Sequence, residues 1–255
     1  MSKHIFKHII VTSVIAVLGV STSFAALVME RDQSVDTAPS VGMYRFEVPV
    51  ELQGTYNSAG VANLTASMEK EANTLSMNMA HVKGNPSESY VVEIYKDLAA
   101  IEAHRKSDHY QVFVNEVGSK LTNRKMYDVQ SVLLFEKKDA LSIVNDGKAV
   151  VTLTEFTVDS NEIDTVQRQY QLDMERAVRD DAGYKAGYVL RERNAKNRWY
   201  VIQIYSDQEA LTKHLNSPGY RFMMSQIQGS LQGVTTKVLN GDIFVNHGGQ
   251  AFVRP

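Results

Sequence analysis

Residues 90–114 read YVVEIYKDLAAIEAHRKSDHYQVFV, and residues 200–224 read YVIQIYSDQEALTKHLNSPGYRFMM. Laid over one another at an offset of 110 without a gap, the two runs are identical at nine of 25 positions. These are Tyr90, Val91, Ile94, Tyr95, Asp97, Ala100, His104, Ser107 and Tyr110, with Tyr200, Val201, Ile204, Tyr205, Asp207, Ala210, His214, Ser217 and Tyr220 as their partners. The register extends outward with one-residue slips: Phe46 falls opposite Phe156, Leu75 opposite Tyr184, Leu121 opposite Leu231 and Phe135 opposite Phe244. A period this long, present only twice, does not build a solenoid; it means two sibling domains packed on each other.

Each copy reads as β-α-β-β-α-β. Alternating apolar residues at Tyr44, Phe46 and Val48, and again at Val151 and Leu153, predict a first strand. Ile163, Val166, Tyr170, Met174 and Ala177 recur at three- and four-residue spacing and predict a helix over 161–179, with its match in the first copy near 61–73. Two strands joined by a turn follow, the turn falling at Gly84-Asn85-Pro86 in one copy and at 194–197 in the other. Asp97 and Asp207 stand where a helix N-cap belongs, and so do Ser107 and Ser217, with Pro218 in a first-turn position that tolerates a missing N–H. A last strand is expected at 129–135 and 238–245. The fold class is therefore α+β, two tandem ferredoxin-like modules packed sheet to sheet, because an antiparallel sheet apolar on both faces cannot leave one of them in water.

The module boundaries fall at 41–138 and 150–247, with a linker at 139–149 and a tail at 248–255. Lys3 and Lys7, an apolar run over 9–20, and the small residues Ser23 and Ala25 have the order of a secretory signal over 1–25, followed by a flexible segment over 26–40. The apolar run is shorter than the ~20 residues that span a bilayer, so the expectation is a periplasmic or secreted protein with no stable membrane insertion once the signal is removed. The chain has no cysteine, which excludes disulfides, thiolate catalysis and cysteine-held metals. Its net charge of −2 comes with no basic stripe, so nucleic acid is not an expected partner.

The pattern Tyr95-x-Asp97-x-x-Ala100-x-x-x-His104-x-x-Ser107-x-x-Tyr110, repeated from Tyr205 to Tyr220, resembles the antibiotic biosynthesis monooxygenase (ABM) family of dimeric α+β barrel proteins. Family members usually pair two chains to close the barrel. The resemblance implies that this chain closes it internally, as an intramolecular dimeric α+β barrel, and a homo-oligomer of the whole chain stays compatible with it. It implies a cofactor-free monooxygenase that oxidises a small aromatic substrate, a quinol or phenol, with O₂ as co-substrate. Haem-degrading members of the superfamily carry a tryptophan where this chain has Tyr95 and Tyr205, and a histidine in the last helix that is missing near Val114 and Met224.

Cofactor-free oxygenation needs a dry pocket, a base and donors for the resulting anion. Glu93 is the candidate base, and its counterpart in the second copy is Gln203. Strand parity groups Val91, Glu93 and Tyr95 on one face and Tyr90, Val92 and Ile94 on the other. If the uniformly apolar face packs on the helices, the mixed face lines the barrel interior. Tyr95, Tyr205 and Gln203 are then candidate substrate contacts, with core packing an equally good account of the tyrosines. His104 and His214, repeated in both copies, suit a proton shuttle; as helix-end residues they equally suit bonding to terminal carbonyls. No metal site is expected, since His81, His104, His109 and His247 have no recognised ligand spacing. The competing functional class is an exported, non-enzymatic binding protein whose barrel holds a small apolar or haem-like ligand.

Overall fold

The structure, a computed structural model, describes residues 38–255. The expected signal, and the flexible segment up to residue 37, lie outside the described residues. The first module comprises β1 (Ser40–Glu47), α1 (Gln53–Lys70), β2 (Thr74–Val82), β3 (Asn85–Tyr95), α2 (Leu98–Lys106), α3 (Asp108–Glu116), β4 (Thr122–Tyr127) and β5 (Val129–Glu136). A short strand β6 (Leu141–Val144) leads to the second module: β7 (Val150–Val158), α4 (Ile163–Asp180), β8 (Tyr184–Glu192), β9 (Arg198–Tyr205), α5 (Gln208–Leu215), α6 (Pro218–Ile227) and β10 (Leu231–Asn246), with β11 (Ala251–Val253) after it. No helix among the described residues is long and apolar enough to cross a membrane.

The strands form a ring. β3 pairs with β1 and β2, and β9 pairs with β7 and β8, all antiparallel. The last strand of each module then serves both modules. The first part of β10 pairs with β7 and its second part with β2, while β4 pairs with β1 and its continuation β5 pairs with β8. Each module thus lends an edge to its sibling, which closes the barrel inside one chain and leaves little unpaired edge to attract another strand. The segment expected as a plain linker contributes β6, which pairs with β10, and the expected tail contributes β11, which pairs with β5.

Register across the strands shows that the repeat keeps an offset of 110 throughout. Thr74 and Tyr184 occupy matching places opposite Tyr95 and Tyr205, so the slip that set Leu75 against Tyr184 does not exist. α1 starts earlier than the expected 61, because Gly54 and Gly60 interrupt the apolar pattern that marks a helix. Gly60 has a packing reason: a Cβ there would come within 2.7 Å of the Met79 sulfur. β4 and the first part of β10 are largely exposed, so neither carries the alternating pattern that identifies a half-buried strand.

The apolar face of the central strands turns inward. Tyr90, Val92 and Ile94 from β3 meet Tyr200, Ile202 and Ile204 from β9 in one buried cluster with Met43, Leu134, Tyr188 and Phe244. The opposite face of β9, with Trp199 and Val201, packs under α4 and α6 against Tyr170, Met174 and Ile227. The conditional placement of Glu93 in the interior is therefore reversed, and the mixed face lies under the helices. The physical reason is closure: the ring excludes water from its centre, where polar groups find few partners, whereas the helix side supplies them. A void between β2, β3, β7, β9 and β10, lined by Tyr90, Val92, Leu153 and Ile202 among others, measures about 20 Å³. That is room for about one water, so a barrel-held aromatic or apolar ligand does not fit there.

Candidate functional site

In the first module, β3 delivers Glu93 and Tyr95 beneath α2. The chain turns at Asp97, whose carboxylate accepts the Ala100 N–H at 2.9 Å and starts α2. In its last turn, α2 sets His104 above the Tyr95 ring, centroids 5.7 Å apart. Ser107 then caps α3 by accepting the Tyr110 N–H at 3.3 Å, and the Tyr110 ring meets His104 edge-on at 4.9 Å. The repeated Asp, His, Ser and Tyr of the sequence are thus one device: two caps that fix a histidine between two phenols.

Glu93 is buried, and the Tyr95 hydroxyl donates to its Oε2 at 3.0 Å. Burial raises its carboxyl pKa above the usual value, against the opposing pull of His104, the Tyr95 hydroxyl and Arg105. Arg105 Nη2 donates to the Tyr44 hydroxyl at 3.3 Å. A Cβ at Gly42 would lie 2.9 Å from that hydroxyl and 3.0 Å from Glu93 Oε2, so the absence of a side chain there is what lets the Tyr44 phenol approach Glu93.

His104 is 1% exposed. Its Nδ1 lies 3.1 Å from Glu71 Oε1 and 3.2 Å from Ser67 Oγ. Its Nε2 is buried and has no hydrogen-bond partner among the described residues. Glu71, the residue after α1, also lies 2.8 Å from His109 Nε2. Burial opposes ionisation of Glu71, but bonds from Thr74 and both histidines hold its pKa below the ordinary value.

The second module repeats the arrangement with different polarity. His214 Nδ1 lies 3.1 Å from Asp181 Oδ2, and its Nε2 lies 3.4 Å from Asp173 Oδ2 and 3.5 Å from the Gln203 amide nitrogen. Gln203 reaches the Tyr184 hydroxyl at 3.4 Å. The rings of Tyr184, Tyr205 and Tyr220 surround His214 at 5.0, 5.6 and 5.1 Å. Arg176 completes the cluster, bonding Asp173 at 3.0 Å and Asp181 at 3.1 Å.

The sequence candidates therefore gather as two trios, Glu93, Tyr95 and His104 in one module and Gln203, Tyr205 and His214 in the other. Glu71 and Asp181 were not singled out from the sequence, although the signal was there: both are acids, 110 residues apart, directly after equivalent helices. His104 and His109 have no ligand spacing within one helix, and it is the α2–α3 corner that brings both to Glu71.

Two α+β modules closed into one barrel by exchanged strands, each with a capped histidine between its helices and its sheet, define a single-chain version of the dimeric α+β barrel. The sequence profile of the family described as antibiotic biosynthesis monooxygenase matches residues 41–116 and 149–225, and the chain belongs to that family. Among solved structures, a candidate monooxygenase of Lactobacillus acidophilus aligns over 84% of this chain and 99% of its own, with a TM-score of 0.78 at 19% identity. One from Fusobacterium nucleatum aligns over 86% and 100%, with a TM-score of 0.76 at 19% identity. An anthrone oxidase-like protein aligns over 87% and 98%, with a TM-score of 0.52 at 11% identity. At these identities the likeness is one of fold, and the fold includes the tandem arrangement. No functionally curated protein matches the sequence.

Proposed function

We propose that the chain is an exported, cofactor-independent monooxygenase that oxidises a quinol or phenolic aromatic with O₂ between helices and sheet in the first module. One observation carries the reading: a buried carboxyl of raised pKa, Glu93, bonded to Tyr95, beside a histidine whose Nε2 has no partner among the described residues. Membership of the family supports the reaction class, and the 1–25 sequence pattern supports export.

In this reading Glu93 takes the phenolic proton, since a carboxyl raised toward neutrality is the better base. His104, whose Nδ1–H donates to Glu71, turns the Nε2 lone pair to the substrate and accepts a hydrogen bond from its second hydroxyl. Tyr95 orients the Glu93 carboxyl through its hydroxyl. The deprotonated hydroquinone supplies all the electrons: one oxygen atom of O₂ enters the ring, the other leaves as water, and a hydroxyquinone results. The second module lacks the base, because Gln203 replaces Glu93, and both nitrogens of His214 face carboxylates. Its role in this reading is to complete the barrel.

The test supplies ¹⁸O₂ and menadiol or a related hydroquinone to the purified chain, without added metal or cofactor, and follows products by mass. One labelled oxygen per product at a rate above the spontaneous one is expected. Unlabelled quinone formed only at the spontaneous rate refutes the proposal.

A further inference from the structure

We infer that the first module carries a binding site for one divalent transition-metal ion of the zinc class, held by Glu71, His104 Nδ1 and His109 Nε2. The three residues offer ligand atoms within 4.8 Å of one another. Both imidazole nitrogens point at the same carboxylate oxygen, His104 at 3.1 Å and His109 at 2.8 Å. A tetrahedral ion with bonds near 2.0–2.2 Å sets its ligands roughly 3.4 Å apart, so both nitrogen–carboxylate distances are within tenths of an ångström of bound ones. Two imidazoles and a carboxylate are the donor set that Zn²⁺ and its neighbours take, with water in the remaining place.

The sibling module supplies the second observation, because it builds a permanent cation into the same place. The counterparts of Glu71, Ser107 and His109 are Asp181, Ser217 and Gly219. Arg176 there bonds Asp181 at 3.1 Å and Ser217 Oγ at 3.3 Å, where His109 meets Glu71 and, at 3.0 Å, Ser107 Oγ. A side chain at Gly219 would collide with the Arg176 guanidinium. The first module has Ala66 in place of Arg176 and His109 in place of Gly219. The two positions have exchanged size and charge together: one module neutralises its carboxylate with a guanidinium, and the other has lost that cation and gained an imidazole.

The ion joins the end of α1 to the α2–α3 corner. It stands at the Nδ1 edge of His104, away from the nitrogen used in the proposed reaction, and it places the ring proton on Nε2, which makes that edge a donor. The site itself rests on geometry alone and stands whether or not the chain oxidises quinols.

Co²⁺ added to the metal-stripped chain reports the site in the visible spectrum, independently of activity. The expected result is one Co²⁺ per chain with the bands of a low-coordinate site, displaced by Zn²⁺. His109→Gln and Glu71→Gln, each checked for an unchanged circular dichroism spectrum, should lower the affinity at least tenfold. Arg176→Ala combined with Gly219→His should raise the stoichiometry to two. A spectrum without such bands in the parent chain, or bands that survive both His109→Gln and Glu71→Gln, overturns the inference.

Discussion

Glu136→Gln should remove a pH dependence that the barrel builds into its own stability. Glu136 ends β5 at the rim of the interior, paired with Ala186 of β8, and the Tyr188 hydroxyl donates to its Oε1 at 2.7 Å. Tyr188 in turn lies 3.0 Å from Ser76 of the other module, so the carboxyl sits in a contact between the two halves. Burial pushes its pKa from 4.5 to about 7, opposed by the Tyr188 bond. A raised carboxyl pKa means that the folded chain keeps a proton that the unfolded chain releases. The stability this contributes is complete below pH 4.5, falls as pH rises toward 7, and is gone above it. At about 1.4 kcal/mol per unit, the loss is about 3 kcal/mol. The matching position in the second module, beside Ser76, is Asn246, an amide that does not titrate. Urea melts of parent and Glu136→Gln at intervals from pH 4.5 to 8 isolate this group, since other ionisations cancel in the difference. The variant should overtake the parent by about 3 kcal/mol between pH 5 and pH 8, roughly 6–12 °C in Tm for a chain of this size. A difference that stays flat with pH, or moves in the parent's favour, refutes the reasoning.

Other outcomes follow from the same structure. Arg176→Ala leaves the buried Asp173 and its neighbour Asp181 without their cation and should cost about 3 kcal/mol in a denaturant melt at pH 7. Trp199 is the single tryptophan and is fully buried against Phe156; its fluorescence should resist acrylamide until the chain unfolds, and Trp199→Ala should cost about 3–5 kcal/mol. Asp97→Ala removes an N-cap bond and should cost about 1 kcal/mol by thermal melt, with Asp207→Ala costing a similar amount.

Much of this was legible in the sequence because the signals were local. The Asp97 and Ser107 caps, their counterparts Asp207 and Ser217, and the turn at Gly84, whose φ of 82° suits glycine, all act within a few residues and appear as read. The paired module pattern fixed the fold for the same reason. What was not legible depended on neighbours distant in sequence. Strand parity separated Glu93 and Tyr95 from Val92 and Ile94, but both faces are buried, and only ring closure decides which one turns inward. The Glu71 contact joins residues 33 positions apart, the end of α1 and α2, with two strands between them, so no spacing rule within one element reveals it. β6 and β11 are strands because the opposite module offers an edge, and their few residues carry no pattern of their own.

The central claim is that chemistry in this chain depends on the buried carboxyl beside His104, on the helix side of the sheet. Oxygen consumption with menadiol, measured on the parent and on Glu93→Gln at equal folded concentration, tests it most directly, because the second module already carries glutamine at this position and folds around it. The account predicts uptake above the spontaneous rate in the parent and a fall of at least about 100-fold in the variant, the contribution expected of a positioned base. Uptake that Glu93→Gln leaves unchanged, or a parent no faster than buffer, would contradict it.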